Sequence, residues 1–162
     1  MRRSLQLDRV FILAASLIVL FLGVVSRFAV PHVAQAAGKA TLTVRVTQAR
    51  NAKGKIRAAL FRDGKGFPGD ASKASQTEEA DIDPQFLSAQ IVFTNLREGV
   101  YAVSVFHDEN SNGKLDKNFL GIPKEGYGAS NNPKKRMGPP NFEEAKFELT
   151  GAQQVLEIKL IY

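Results

Sequence analysis

The sequence predicts an all-β protein: an antiparallel Greek-key β-sandwich of about seven strands, preceded by an N-terminal hydrophobic signal or anchor helix. Apolar and polar residues alternate along several short stretches after residue 40, as on strands with one buried face. No stretch there places apolar residues at helical spacing, and turn residues separate the alternating stretches. The chain has 162 residues, which is enough for one domain with its own core.

The first 36 residues are expected to be a targeting segment rather than part of the fold. Basic residues precede an apolar run at 10–25, and Ala34 and Ala36 supply the small residues that signal peptidase recognises. The run is short for a spanning helix, which needs about 20 residues. Cleavage after Ala36 is therefore the preferred prediction, and an uncleaved membrane anchor is the alternative. Either way, residues 37–162 are expected outside the cytoplasm, in the periplasm or secreted.

Half of the chain's net positive charge belongs to this segment. The formal net charge is +6, and residues 1–36 contain four Arg and one Asp, so the remaining domain carries +3. A balance this modest gives no reason to expect nucleic acid as a partner. The absence of cysteine excludes disulfides, thiol nucleophiles and thiolate metal sites.

Six stretches of the domain alternate and are predicted strands. Their inward positions are, in order, Leu42, Val44 and Val46; Ile56, Ala58 and Leu60; Ala89, Ile91 and Phe93; Tyr101, Val103 and Val105; Phe147 and Leu149; and Leu156, Ile158 and Leu160. Residues 51–54 have the composition of a hairpin turn between the first two strands. Residues 62–86 are polar and contain several Gly and Pro, which predicts a long connection with room for a short edge strand.

The segment 108–142 is predicted to be a long functional loop. Gly and Pro punctuate it, and loops of this length in small domains are usually functional or disordered. Disordered segments lack large apolar residues, so this loop is expected to pack back on itself or on the sandwich. Its apolar residues are Leu115, Phe119, Leu120, Ile122, Tyr127, Met137 and Phe142. A loop on a rigid scaffold is a usual place for a binding surface.

The start of this loop is similar to a calcium-binding loop. In such loops, side-chain oxygens at positions one, three and five, a Gly at six and a carbonyl at seven surround the ion. The matching residues are Asp108, Asn110, Asn112, Gly113, Lys114 and Asp116. Phe119 replaces the Glu that would close the site. Weak calcium binding is one interpretation, and an Asn/Asp-rich turn bonded to its own backbone is the preferred one.

Two other features have a structural and a functional interpretation. His107 is the only histidine after the targeting segment, and it is expected to be a packed or capping residue. The alternative is a catalytic base that acts with Asp108, Asp116 or Glu125 in a hydrolase of cell-envelope material. The basic run 134–136 is expected to be solvated, with anion binding as the alternative. No enzymatic activity, and no cofactor other than the calcium ion considered above, is predicted.

The run from Gly99 to Tyr127, followed by Ser130-Asn131-Asn132 and by MGPPNFEEA at 137–145, resembles the bacterial domain-of-unknown-function family 2141. The resemblance covers residues 41–162. It implies signature positions at His107, Asp108, Asn110, Asn112, Gly113, Asp116, Gly121, Pro123, Glu125, Gly126, Tyr127 and Ser130. It also implies an exported protein without an established activity, and a fold similar to transthyretin-like and carboxypeptidase-regulatory-like sandwiches.

The sequence thus predicts an exported, non-enzymatic β-sandwich protein whose loop at 108–142 binds a protein or an envelope glycan. Calcium would organise that loop if the ion binds. The alternatives are the hydrolase and a purely structural module tethered to the envelope by residues 1–36. Nucleic acid is not expected, and membrane contact is expected only through the N-terminal segment if it is uncleaved.

Overall fold

The computed structural model describes residues 39–134 and 138–162 as two β-sheets and their connections. The strands are β1 (Ala40–Thr47), β2 (Lys55–Phe61), β3 (Gln76–Ala80), β4 (Ala89–Leu96), β5 (Gly99–Asp108), β6 (Tyr127–Ala129), β7 (Phe147–Leu149) and β8 (Gln153–Lys159). A 3-10 turn (Ala71–Lys73) and a one-turn helix α1 (Phe142–Ala145) complete them. The predicted signal or anchor helix, its cleavage residues Ala34 and Ala36, and the boundary at 36/37 lie outside the described residues.

The first sheet has three strands in the order β4-β1-β8. At its centre, Val44 of β1 lies opposite Ile91 of β4 and Leu156 of β8. The β1–β4 pair is antiparallel and the β1–β8 pair is parallel, so the prediction of an antiparallel sandwich is wrong at β8. The reason is that a strand buries every second residue whether it runs parallel or antiparallel to its neighbour. The alternation of apolar and polar residues therefore does not indicate strand direction.

The second sheet has the order β3-β2-β5. On the edge of β5 opposite β2, β6 and β7 pair with different parts of the strand. β3 is a short edge strand that lies within the connection 62–86, as the sequence allows. β6 lies within the segment predicted to be a loop. Its Gly128 is required by a close approach to β8: a Cβ there would lie 2.8 Å from Cγ2 of Ile158 and 2.9 Å from the carbonyl oxygen of Lys159.

The core lies between the two sheets, and the predicted inward positions of β1, β2, β4 and β5 are buried in it. Leu42, Ile56 and Phe93 are fully buried. Burying a side chain of this size contributes about 1.5–3 kcal/mol. Tyr101 also lies in the core, and its hydroxyl donates to the carbonyl oxygen of Arg97 at 2.8 Å, so its polar group is satisfied.

Hydrogen bonds join several turns at one end of the sandwich. The Ala49 N–H in the β1–β2 turn donates to the carbonyl of Leu87 in the β3–β4 turn at 3.1 Å. The neighbouring Arg50 donates from its backbone N–H to the Tyr162 hydroxyl at 2.9 Å and from Nη2 to the Lys124 carbonyl at 3.2 Å. This end carries most of the candidate site residues. No helix in the described part of the chain is long and apolar enough to cross a membrane.

Candidate functional site

Asp108 ends β5 and closes the turn formed by residues 108–116, which we call the acidic turn. Its side chain is fully buried. Oδ2 accepts from Arg57 Nε at 2.7 Å and from the Gly113 N–H at 2.8 Å. Oδ1 accepts from the Asn112 N–H at 2.9 Å. Both carboxylate oxygens are therefore engaged, one of them by an arginine that reaches across from β2.

The pKa of Asp108 reflects two opposing causes. Burial alone would raise it, because a charged carboxylate loses hydration in the interior. The hydrogen bonds from Arg57 and from the Gly113 and Asn112 amides outweigh burial and hold the pKa below its usual value. The carboxylate is thus ionised at neutral pH, and its charge is compensated by its neighbours.

The other side chains of the acidic turn bond to each other and to backbone N–H groups of the same turn. Oδ1 of Asn110 accepts from the Asn112 N–H at 3.1 Å, and Oδ1 of Asn112 accepts from the Lys114 N–H at 2.8 Å. Asp116 accepts from the side-chain amides of Asn110 and Asn112, at 2.8 and 3.1 Å. Across residues 39–134 and 138–162, no three or more His, Cys, Asp or Glu side chains form a group suited to a metal ion. This geometry agrees with the bonded-turn interpretation, and calcium binding stays a prediction.

Glu125 joins the two ends of the acidic turn. Oε1 accepts from the Glu109 N–H and Oε2 from the Asp116 N–H, each at 2.9 Å. The side chain is nearly fully buried. Glu109 in turn forms an ion pair with Arg50 and accepts from Asn51 Nδ2 at 2.9 Å. Burial would raise the pKa of Glu109, and these two partners lower it below its usual value.

His107 is fully buried, and both ring nitrogens have partners. Nε2 lies 2.7 Å from the carbonyl oxygen of Lys53, and Nδ1 lies 2.8 Å from the Tyr162 hydroxyl. Because a carbonyl only accepts, Nε2 carries a hydrogen. In the neutral ring Nδ1 then accepts from Tyr162, whose oxygen accepts from the Arg50 N–H.

Tyr162 packs closely over the chain next to His107. A Cβ at Gly126 would lie 2.5 Å from Cζ of the Tyr162 ring, so only glycine fits there. The Arg50 guanidinium lies 4.7 Å from the centre of the same ring, within the range of a cation–π contact. Burial raises the pKa of the Tyr162 hydroxyl. Tyr162 therefore helps to hold His107 in place.

Ser130 connects β5 to α1 and is fully buried. Its Oγ accepts from the Val103 N–H at 2.9 Å and donates to the Ala145 carbonyl at 2.6 Å. Helix α1 begins with a capping box, in which Asn141 and Glu144 each accept from the other's backbone N–H. The Ser130 hydroxyl thus satisfies backbone groups of both β5 and α1.

Residues 117–123 form a tight turn that we call the apolar tip. Phe119, Leu120 and Ile122 are 95%, 68% and 55% exposed, so the expectation that they pack back on the protein is wrong. The reason is the narrowness of the turn. The Asn118 N–H donates to the Ile122 carbonyl at 2.9 Å, and Gly121 adopts a φ of +78°. Within residues 39–134 and 138–162, nothing folds over the side chains of Phe119, Leu120 and Ile122.

The remaining apolar residues of the segment 108–142 have different environments. Leu115 and Tyr127 are partly buried. Phe142 packs edge-to-face on Phe67, with ring centres 6.0 Å apart. Met137, and with it Lys135 and Arg136 of the basic run, lies outside the described residues. Lys134 and Tyr127 line a cleft of about 410 Å³ beside β6.

Sequence reasoning missed the residues that hold this end of the molecule together. Arg57, Arg50 and Tyr162 are distant in sequence from the acidic turn, and nothing in their local pattern indicates the contact. Asn118 could have been found, because Asn followed three residues later by Gly is typical of a tight turn. That turn chemistry predicts outward side chains at Phe119 and Leu120.

The fold and the site define a small β-sandwich protein that carries an internally bonded acidic turn and an exposed apolar tip at one end. The chain belongs to the bacterial family described as Uncharacterized protein conserved in bacteria (DUF2141), whose sequence profile matches residues 44–157. The family resemblance stated from the sequence is thereby confirmed. Searches among curated proteins and among solved structures gave no match.

Proposed function

We propose that the chain is an exported, non-enzymatic Greek-key β-sandwich protein whose segment 108–142 is a binding surface. One observation carries this proposal: the apolar tip exposes Phe119, Leu120 and Ile122 on an ordered turn. Soluble proteins rarely expose neighbouring large apolar side chains without a use for them. The basic start, apolar run and small residues of 1–36 support export, and hence a location outside the cytoplasm.

The bonding of His107 and Glu125 supports a binding protein over the hydrolase alternative. A general base needs a nitrogen or oxygen that can reach a substrate proton. Both ring nitrogens of His107 and both carboxylate oxygens of Glu125 are instead bonded inside the fold. These residues act as supports that position the surface, and the partner contacts the tip.

Site-specific photo-crosslinking in cells that export the protein tests this proposal. A photoreactive phenylalanine analogue replaces Phe119, and in a matched control it replaces Val155, which is 65% exposed on β8. We expect covalent adducts with envelope components at Phe119 in clear excess over Val155. Equal labelling at the two positions, or none at Phe119, would contradict a binding role for the tip.

A further inference from the structure

The apolar tip has features that favour one class of partner. We propose that it inserts into the surface of an anionic lipid bilayer, with Phe119, Leu120 and Ile122 entering the interface. This inference rests on the proposed function, because it names the partner of the same surface. It goes beyond the N-terminal segment, which is the only membrane contact that the sequence predicts.

The side chains of the tip fit a lipid interface. Phe and Leu on a narrow turn are the residues that bury apolar area at the boundary between headgroups and acyl chains. Phe119 is almost completely exposed, and its two apolar neighbours are more than half exposed. Insertion would remove this apolar surface from water without any change in the sandwich.

The backbone of the tip is also suited to a medium that contains little water. Amide groups that enter lipid need hydrogen-bond partners within the protein. Oδ1 of Asn118 accepts from the N–H groups of Leu120 and Ile122, at 2.9 and 3.0 Å. The Gly121 N–H donates to the Asn118 carbonyl, and the Asn118 N–H donates to the Ile122 carbonyl, each at 2.9 Å. Four amides of the tip are therefore already satisfied.

The charges around the tip favour an anionic surface. Lys114, Lys117 and Lys124 flank it, and all three are exposed. Within the described residues, none of their ammonium groups forms an ion pair. A lysine close to an anionic bilayer contributes about 1 kcal/mol to binding, which corresponds to about fivefold tighter binding for each lysine.

The four carboxylates near the tip are bonded within the protein, and arginine compensates the charge of two of them. All four accept hydrogen bonds from the protein: Asp108, Glu109, Asp116 and Glu125. Asp116 and Glu125 bond to amide groups and keep their charge, so the three exposed lysines outnumber the two carboxylates that no arginine compensates within the described residues.

A single-tryptophan experiment tests the proposal directly, because the chain contains no tryptophan. The protein as isolated after export carries Phe119→Trp, and the matched control carries Val155→Trp. Every variant has the same N-terminus, and its melting curve shows that it is folded. Each is mixed with phosphatidylcholine vesicles with or without about 30 mol% phosphatidylglycerol.

We expect Phe119→Trp emission to shift to shorter wavelength and to become protected from an aqueous quencher with the anionic vesicles. Val155→Trp should show neither change. Replacing Lys117 and Lys124 together by Gln should weaken this binding about thirtyfold, and high salt should weaken it further. Phe119→Ser should reduce sedimentation with the vesicles, which checks insertion without a fluorescent probe.

Three results would overturn the proposal: no shift at Phe119→Trp, an equal shift at Val155→Trp, or equal affinity for neutral and anionic vesicles. The crosslinking experiment separates the two levels of inference. Adducts with an envelope protein at Phe119, combined with no response to vesicles, would leave the binding function standing and reject the lipid. Absence of both signals would reject both.

Discussion

At the residue scale, Asp108 is the most deeply buried carboxylate in the described part of the chain, and it carries its charge at the end of β5. Arg57 and two backbone amides compensate it. In Asp108→Asn, an amide group would face these donors. We expect this variant to lose about 3 kcal/mol of unfolding free energy at neutral pH, measured by urea denaturation.

The matched control for this change is Asp81→Asn, since Asp81 has an 89% exposed side chain 3.9 Å from Lys55 Nζ. It should change the unfolding free energy by less than about 0.5 kcal/mol. Similar losses in the two variants would mean that the bonds to Asp108 do not stabilise the fold.

The pH dependence of stability follows from the lowered pKa values of Asp108 and Glu109. Their usual values are 3.8 and 4.5, and the folded values lie below these. Ionisation therefore favours the folded state: the contribution is fully present above the usual values and is lost as pH falls through the folded ones. We expect the difference in unfolding free energy between wild type and Asp108→Asn to shrink as pH falls below 3.8. A constant difference down to the acid transition would contradict this account.

A third prediction at this scale concerns Ser130. Ser130→Ala removes the acceptor of the Val103 N–H and the donor to the Ala145 carbonyl, at a buried position. Leaving such groups unsatisfied costs about 1–3 kcal/mol, so we expect a loss of about 2 kcal/mol in thermal or urea unfolding. The exposed Ser72→Ala should have little effect. A neutral Ser130→Ala would show that the hydroxyl does not join β5 to α1.

At the scale of elements, the side chains of the acidic turn bond to each other and to its backbone. We therefore expect a melting temperature that changes by less than about 1 °C between chelator and about 1 mM calcium. Magnesium at the same concentration is the control. A rise of several degrees with calcium alone would reject the bonded-turn interpretation in favour of the ion at Asp108, Asn110, Asn112 and Asp116.

The elements also show how far the sequence could predict the fold and the site. Leu42, Ile56 and Phe93 were correctly placed inward, because alternation records which face of a strand meets the core. Strand direction leaves no such record, so the parallel β8 was missed. The exposure of Phe119 was also missed. Its hydrophobicity indicates only that contact with water is unfavourable. The position of the side chain is instead decided by the turn at Asn118.

At the scale of the whole molecule, the proposed export would depend on the N-terminal segment. We expect the exported protein to begin at Ala37, as measured by intact mass, because Ala34 and Ala36 suit signal peptidase. Ala36→Leu should block processing and leave the protein in the membrane fraction, whereas the conservative Ala36→Ser should be cleaved. A full-length mass for the wild type would instead support the uncleaved anchor.

The parallel pair of β1 and β8 has a consequence for the order of assembly. Thr41 pairs with Gln153 and Thr47 with Lys159, so the first strand of the domain is completed by the last. Closing so long a loop is slow, and one edge of β1 has no partner strand until β8 joins it. A chain exported as we propose would therefore complete its three-stranded sheet only after β8 had crossed the membrane.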